Sequence, residues 1–336
     1  MNSTLASAAA AEPLRNAVIP TSLASRTVVT LLVSAGFLTL AWADATQLGR
    51  SLPAWWLLPV AVVLAIGATD EMLRLYATRE ILLPAWLMRL AVVLTLLAPA
   101  LCLQAFSSNS SAFLSDASPL TAMGWPAIAV TVSIGYLWIR EIVSYSPHSR
   151  ALERLSAGAL IITMIGLPMA FMVSLRLLCL TGLDPADLIQ GESVTPGKGL
   201  GIVPLLSLVA VVKAGDVAAY VVGSFCGRQR LAPLLSPGKT WEGASASLLG
   251  SIIAAWLVLA GLGFELSSRP WGGWLVFGVG VGLAGMFGDL AESLLKRELG
   301  AKDSGRSLGG LGGVLDLIDS LLFAAPVAWI LWISGR

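Results

Sequence analysis

Apolar residues run along this chain in long blocks, broken at intervals by short polar connections. Nine blocks of about 16 to 24 residues stand near 28–43, 54–69, 81–103, 119–139, 157–180, 201–224, 244–263, 272–289 and 315–333. Each is long enough to cross a hydrocarbon core about 30 Å thick. A strand exposed to lipid would leave its backbone polar groups unpaired, so all nine are expected to be helices. The pattern predicts an all-α, polytopic integral membrane protein of about nine transmembrane helices. The first 26 residues are alanine-rich with no apolar core, and read as a mobile tail rather than a signal peptide. The organisation expected is thus a tail over 1–26, N-terminal transmembrane helices over 27–195 and a C-terminal catalytic region over 196–336.

Cations orient the spans. With the N-terminus cytoplasmic, fourteen lysines and arginines fall in inside segments and four in outside segments, and the bias holds in each successive pair of loops. The polar loops near 227–243 and 290–314 then face the cytoplasm, where nucleotides are found.

Composition supports the class and removes others. Charged residues make up 12% of the 336, about half of what soluble domains carry, and 56% are hydrophobic. The net charge of +1 gives no general attraction to nucleic acid. Cys102, Cys179 and Cys226 fit no metal or redox spacing, and the single histidine, His148, lies in a polar loop beside a proline. Chemistry that depends on a histidine base is therefore disfavoured.

Charges inside an apolar helix need a reason. Lys213 and Asp216 stand three apart on one face of the sixth block, with Tyr220 a turn further. A mutually neutralising pair and a polar pocket reaching into the bilayer both remain open, and the pocket is the default for such residues. In the next loop, Ser236-Pro-Gly-Lys-Thr-Trp-Glu-Gly243 offers a turn at Pro237 and Gly238, a point cation in Lys239, and hydroxyls in Ser236 and Thr240. The first glycine of a phosphate-binding P-loop is missing and no strand is expected before it, which excludes that motif. A phosphate-facing turn and a plain helix-initiating loop fit the residues equally.

The densest chemistry lies between Gly288 and Ser320. Asp289, Glu292, Ser293 and Lys296 share one helical stripe, and Arg297, Lys302, Asp303 and Arg306 follow in a glycine-rich connection. Asp316 and Asp319 then open the last block. Such carboxylates suit Mg²⁺, and the interleaved cations suit phosphate oxygens. The residues alone point to a metal-dependent phosphoryl or nucleotidyl transferase at the inner membrane surface; a juxtamembrane loop of ion pairs is the plain alternative.

The run Ser293-Leu-Leu-Lys-Arg-x4-Lys302-Asp303-x-Gly305-x2-Leu308-Gly309-x-x-Gly312-Gly313-x-x-Asp316-x-x-Asp319 resembles the signature of the phosphatidate cytidylyltransferase (CDP-diacylglycerol synthase) family. Ser236–Gly243 is similar to that family's second motif, and Asp216-Val-Ala-Ala-Tyr220…Gly223 to its intramembrane pattern. The chain departs from the family at Leu311, where histidine is usual, and at Leu317, where arginine is usual. The resemblance implies transfer of a cytidylyl group from CTP to phosphatidic acid, releasing pyrophosphate, with Mg²⁺ and room for a second cation. It implies Asp289, Asp303, Asp316 and Asp319 as metal ligands. Lys296, Arg297, Lys302 and Asp303 become catalytic residues, and Asp216, Ser236, Lys239, Thr240 and Arg306 substrate-binding ones. It further implies the lipid bilayer as surroundings, a bacterial inner membrane with the site on its cytoplasmic face and, by analogy alone, a homodimer. Two other readings fit the same residues: a CTP-dependent transferase acting on another lipid phosphate or a polyprenol, and an ion or solute transporter lined by Lys213, Asp216 and Asp289. A transporter would be expected to spread its charges over both halves, whereas here they gather at one end.

Overall fold

The computed structural model describes residues 35–44, 56–107, 119–147, 149–178, 200–262, 270–301 and 312–334. A helical stretch over 35–44 precedes α1 (Leu57–Ala77), α2 (Ala85–Ser107), α3 (Pro119–Val143) and α4 (Ala151–Ile161). A single π turn, Ile162–Gly166, joins α4 to α5 (Leu167–Leu177). Pro168 explains that turn: it has no N–H to give the carbonyl four residues back, so the ladder must slip there. Next come α6 (Val203–Cys226), the short strands β1 (Arg230–Ala232) and β2 (Ser236–Thr240), α7 (Trp241–Leu259), α8 (Gly273–Glu298) and α9 (Val314–Ser334).

Among the described residues, seven helical stretches are long and apolar enough to cross a membrane: Ala85–Cys102, Met123–Val143, Ala151–Leu177, Val203–Cys226, Trp241–Leu259, Gly273–Glu298 and Val314–Ser334. They coincide with the last seven of the expected spans. α1 is a helix of 21 residues but carries Asp70, Glu71 and Arg74 in its second half, and the first expected span is described only over 35–44. Large apolar side chains point outward, as a protein solvated by lipid requires: Ile128, Val132 and Ile139 on α3, and Leu249, Ile253 and Trp256 on α7. The protein is a polytopic helical membrane protein.

α9 is the hub. Its Leu315, Ile318 and Leu322 pack with Ala65, Ala68 and Met72 of α1 and with Ile161, Ile165 and Met169 around the π turn. Its Leu321, Ala325, Ala328 and Trp332 pack with Leu208 and Val212 of α6 and Phe277 and Val281 of α8. Most of the α9 surface is therefore buried, with Phe323 and Ile330 left exposed. Small residues set the spacing of the C-terminal helices: a Cβ added at Gly282 of α8 would stand 2.8 Å from Ser251 Cβ of α7. Close approach of backbones is how helices bind one another where lipid removes the hydrophobic drive.

Two acids of the N-terminal helices are paired with arginines. Arg176 of α5 and Asp44 are 1% and 2% exposed, with Nε 2.5 Å from Oδ2. Glu141 of α3 receives both Arg140 and Arg154, at 2.7 and 2.5 Å.

Candidate active site

The carboxylates meet where α8 and α9 cross. Gly288 makes the crossing close, since an added Cβ there would be 2.6 Å from the Asp319 carbonyl oxygen. One residue on, Asp289 points to the same side as Glu292, one turn later. Carboxylate oxygens of Asp289, Glu292 and Asp319 all lie within 4.8 Å of one another. Glu292 and Asp319 are 1% and 5% exposed. Asp319 Oδ1 accepts from Ser320 N–H at 2.5 Å and from its hydroxyl at 3.1 Å. Glu292 Oε1 is buried with no hydrogen-bond partner among the described residues. Such an atom is costly unless something cationic meets it. Three carboxylates, one with an oxygen to spare, form an oxygen donor set that fits a hard divalent cation.

Cations flank the three acids. Lys296 of α8 gives its ammonium to Glu292 Oε2 at 3.1 Å and to Asp316 Oδ1 at 2.7 Å. Asp316 Oδ2 also accepts from Gly313 N–H at 2.7 Å. Asp316 thus does the work of a capping-box acid, binding the backbone just before its own helix. The structure therefore brings Asp289 and Asp319 together with Glu292, and holds Asp316 beside them through Lys296.

The second motif reaches the same place. Lys239 of β2 lies 2.9 Å from Asp289 Oδ2. The expected turn at Pro237 and Gly238 stands instead at 233–235, between β1 and β2, where Leu235 N–H donates to the Ala232 carbonyl at 3.2 Å. Pairing joins Arg230 to Thr240 and Ala232 to Ser236, with an irregularity between. Pro237, Gly238 and Lys239 thus stand opposite the single residue Leu231, and proline has no N–H to give a regular ladder. Two short strands here were invisible to a reading tuned to apolar periodicity. Arg297 Nε donates to the Leu235 carbonyl at 3.1 Å, fixing the hairpin tip to the end of α8. Thr240 is buried, and its Oγ1 accepts from Gly243 N–H at 3.1 Å as the N-cap of α7. Ser236 opens β2, opposite Ala232.

Within α6, Lys213 Nζ stands 3.0 Å from Asp216 Oδ2 and donates to the Leu317 carbonyl of α9 at 3.1 Å. The pair is real and also ties α6 to the helix that carries Asp316 and Asp319. At position 317 the chain uses its backbone here, not its side chain. Lys302, Asp303, Arg306 and Leu311 lie outside the described residues.

Two residues that matter escaped the sequence reading. Glu292 was placed on the stripe but left out of the ligand set, although its spacing from Asp289 was the available signal. Glu71 falls in the connection between the second and third apolar blocks, and local spacing gives it no meaning there.

Comparison with known proteins follows the same outline. The chain is 43% identical over 136 residues to a phosphatidate cytidylyltransferase of Brucella suis, covering 39% of this chain and 47% of that protein. It is 42% identical over 137 residues to a phosphatidate cytidylyltransferase of Mycobacterium tuberculosis, covering 41% of this chain and 40% of that protein. It is also 41% identical over 127 residues to the uncharacterized protein YnbB of Escherichia coli K12, covering 38% of this chain and 41% of that protein. These alignments span less than half the length of each relative. The model of the Cytidylyltransferase family, by contrast, matches residues 24–334, through every helix described above, and the chain therefore belongs to that family.

Proposed function

We propose that this protein is a phosphatidate cytidylyltransferase, joining CTP and phosphatidic acid into CDP-diacylglycerol and pyrophosphate at the cytoplasmic face of a bacterial inner membrane. The observation that carries the reading is the convergence of Asp289, Glu292 and Asp319 with Lys239 and Lys296 inside a membrane bundle. Membership of the family and the two relatives named for this activity support it.

Asp289, Glu292 and Asp319 would hold Mg²⁺, with Asp303 as a further ligand, and Asp316 would support them through Lys296. When bound, the cation would neutralise charge on the triphosphate. The chain's own residues do the rest. A phosphate oxygen of phosphatidic acid attacks the α-phosphorus of CTP, the bond to the β-phosphate oxygen breaks, and pyrophosphate leaves with the electron pair. The attacking oxygen is already anionic at neutral pH, so no protein base is required. Lys239 and Lys296, each now on a carboxylate, are within reach of phosphate oxygens in the same cleft, and Lys302 and Arg306 complete the cationic set. Arg297 keeps the hairpin against α8, so that Lys239 and Ser236 would meet the nucleotide while Thr240 caps α7 behind them. Lys213 and Asp216 give the cleft a polar wall within the bilayer, where the lipid head group would sit. Catalysis is then positioning plus charge neutralisation. A second cation and a homodimer belong to the same proposal.

The test is pyrophosphate release by purified protein in detergent with CTP, Mg²⁺ and phosphatidic acid, beside Asp289→Asn and Asp303→Asn. Release that needs the lipid, accompanied by a cytidylylated lipid and lost in both variants, is the expected result. Turnover of a polyprenyl phosphate instead of phosphatidic acid would assign a different acceptor, and no release with any lipid phosphate would overturn the reading.

A further inference from the structure

Glu71 is 1% exposed, sits deep in α1, and belongs to a helix that contributes nothing to the cleft described above. Its two carboxylate oxygens accept from consecutive backbone N–H groups, Oε1 from Val314 at 2.9 Å and Oε2 from Leu315 at 2.8 Å. These are the first two residues of α9, whose N–H groups have no partner within the helix. An anion there satisfies both donors and lies at the positive end of the helix dipole.

The position of this contact gives it consequence. Asp316 is the next residue of α9, and Asp319 follows one turn later. A bidentate grip on Val314 and Leu315 fixes both the height and the rotation of the turn that presents those acids. Gly67, one turn before Glu71, lets α1 close on that turn: an added Cβ would stand 3.1 Å from Val314 Cγ2. The same helix end also holds α8. Arg79 donates to the Glu298 carbonyl at 2.6 Å, and Thr78 Oγ1, which donates to the Leu75 carbonyl at 2.7 Å, lies 3.3 Å from the Leu299 carbonyl. α1 and the residues just after it therefore grip the end of one carboxylate-bearing helix and the start of the other.

We propose that Glu71 is a positioning residue for the carboxylate cluster, setting the register of α9 against α8 so that Asp319 meets Asp289 and Glu292. This rests on the reading of those three acids as a divalent-cation site. Glu71 acts through the backbone of Val314 and Leu315. Glutamine at this position has one acceptor oxygen in place of two and turns an amide toward a donor, so the turn loses one of its two anchors.

Mn²⁺ binding to the full-length protein in detergent, read from the electron paramagnetic resonance of free Mn²⁺, separates this role from a merely structural one. The wild type is expected to bind, and Asp289→Asn to lose most of that binding. Glu71→Gln is expected to weaken Mn²⁺ about tenfold per folded molecule, the lower end of what losing a support behind metal ligands costs. Asp44→Asn, which breaks a buried pair elsewhere in the N-terminal half, is expected to lower Tm and leave Mn²⁺ affinity unchanged. Glu71→Gln binding Mn²⁺ as tightly as wild type would overturn the proposal. Should Glu71→Gln not fold, Glu71→Asp carries the test, since it keeps both oxygens on a shorter stem; an intermediate loss is expected, and unchanged affinity overturns the proposal equally. Wild type binding no more Mn²⁺ than Asp289→Asn is a different result: it sinks the metal reading, and this proposal with it.

Discussion

Lys239 and Asp289, fifty residues apart in sequence, approach to 2.9 Å and join the hairpin before α7 to the carboxylate stripe of α8. Two motifs that the sequence presents separately thus become one cleft. On the proposed function, Lys239 neutralises Asp289 here and would turn to a phosphate when the nucleotide binds. Lys239→Met should therefore lower lipid-dependent pyrophosphate release about a hundredfold, in the range that follows loss of one preorganised charge-stabilising donor. The protein should remain folded, since Lys239 is partly exposed and the hairpin is held independently by Arg297. A change of less than threefold in turnover would remove Lys239 from the nucleotide site.

The three clustered acids should differ from Asp316 in their dependence on metal. Asp289→Asn, Glu292→Gln and Asp319→Asn each remove an oxygen from the donor set and should raise the Mg²⁺ concentration for half-maximal activity at least tenfold. Asp316→Asn removes a partner of Lys296 and of Gly313 N–H instead. Its main effect should be on turnover at saturating Mg²⁺. A Mg²⁺ titration of the four variants checks this, and equal shifts for all four would return Asp316 to the ligand set.

Close packing at the crossing gives a prediction with opposite signs at two glycines. Gly288→Ala puts a methyl 2.6 Å from the Asp319 carbonyl oxygen and 3.1 Å from Ser320 Cα. The obstacle is backbone, so α8 and α9 must separate, at a cost of about 1–3 kcal/mol that exceeds alanine's helix gain of about 1 kcal/mol. Gly135→Ala on α3 meets nothing within 4 Å and should be neutral or slightly stabilising. Thermal unfolding in detergent, with Mg²⁺ titration of Gly288→Ala, reads both effects; Gly288→Ala as stable as wild type would show that the crossing can relax.

What was legible in the sequence follows from what repeats. Spans such as Val203–Cys226 and Val314–Ser334 announce themselves through length and apolarity, which depend on no partner. The stripe of Asp289, Glu292 and Lys296 was legible because helical spacing is local. The hairpin was not, since three- and five-residue strands carry too few alternations to show a period. Glu71 was not, because its meaning depends on backbone N–H groups 243 and 244 residues away. The different surroundings of Asp316 and Glu292 were likewise beyond spacing: Lys296 engages both, and only Asp316 also accepts from Gly313 N–H. The partner of Arg176 was hidden for the same reason: Asp44 is 132 residues distant.

That last pair allows a test of how the N-terminal stretch contributes. Arg176 and Asp44 are almost wholly buried, so removing either charge strands the other out of water. Each single neutralisation, Asp44→Asn or Arg176→Met, should cost about 3–5 kcal/mol. Replacing both should recover much of that loss, because a buried pair is often no better than apolar groups of like volume; what is expensive is the unpaired ion. A double-mutant cycle by thermal unfolding in detergent reads the coupling directly. The two single losses adding without recovery would mean that the pair does not act as a unit. With the coupling confirmed, the helical stretch over 35–44 would be held to α5 by charge pairing, while the cleft of α6 to α9 keeps its own supports in Lys213, Arg297 and Glu71.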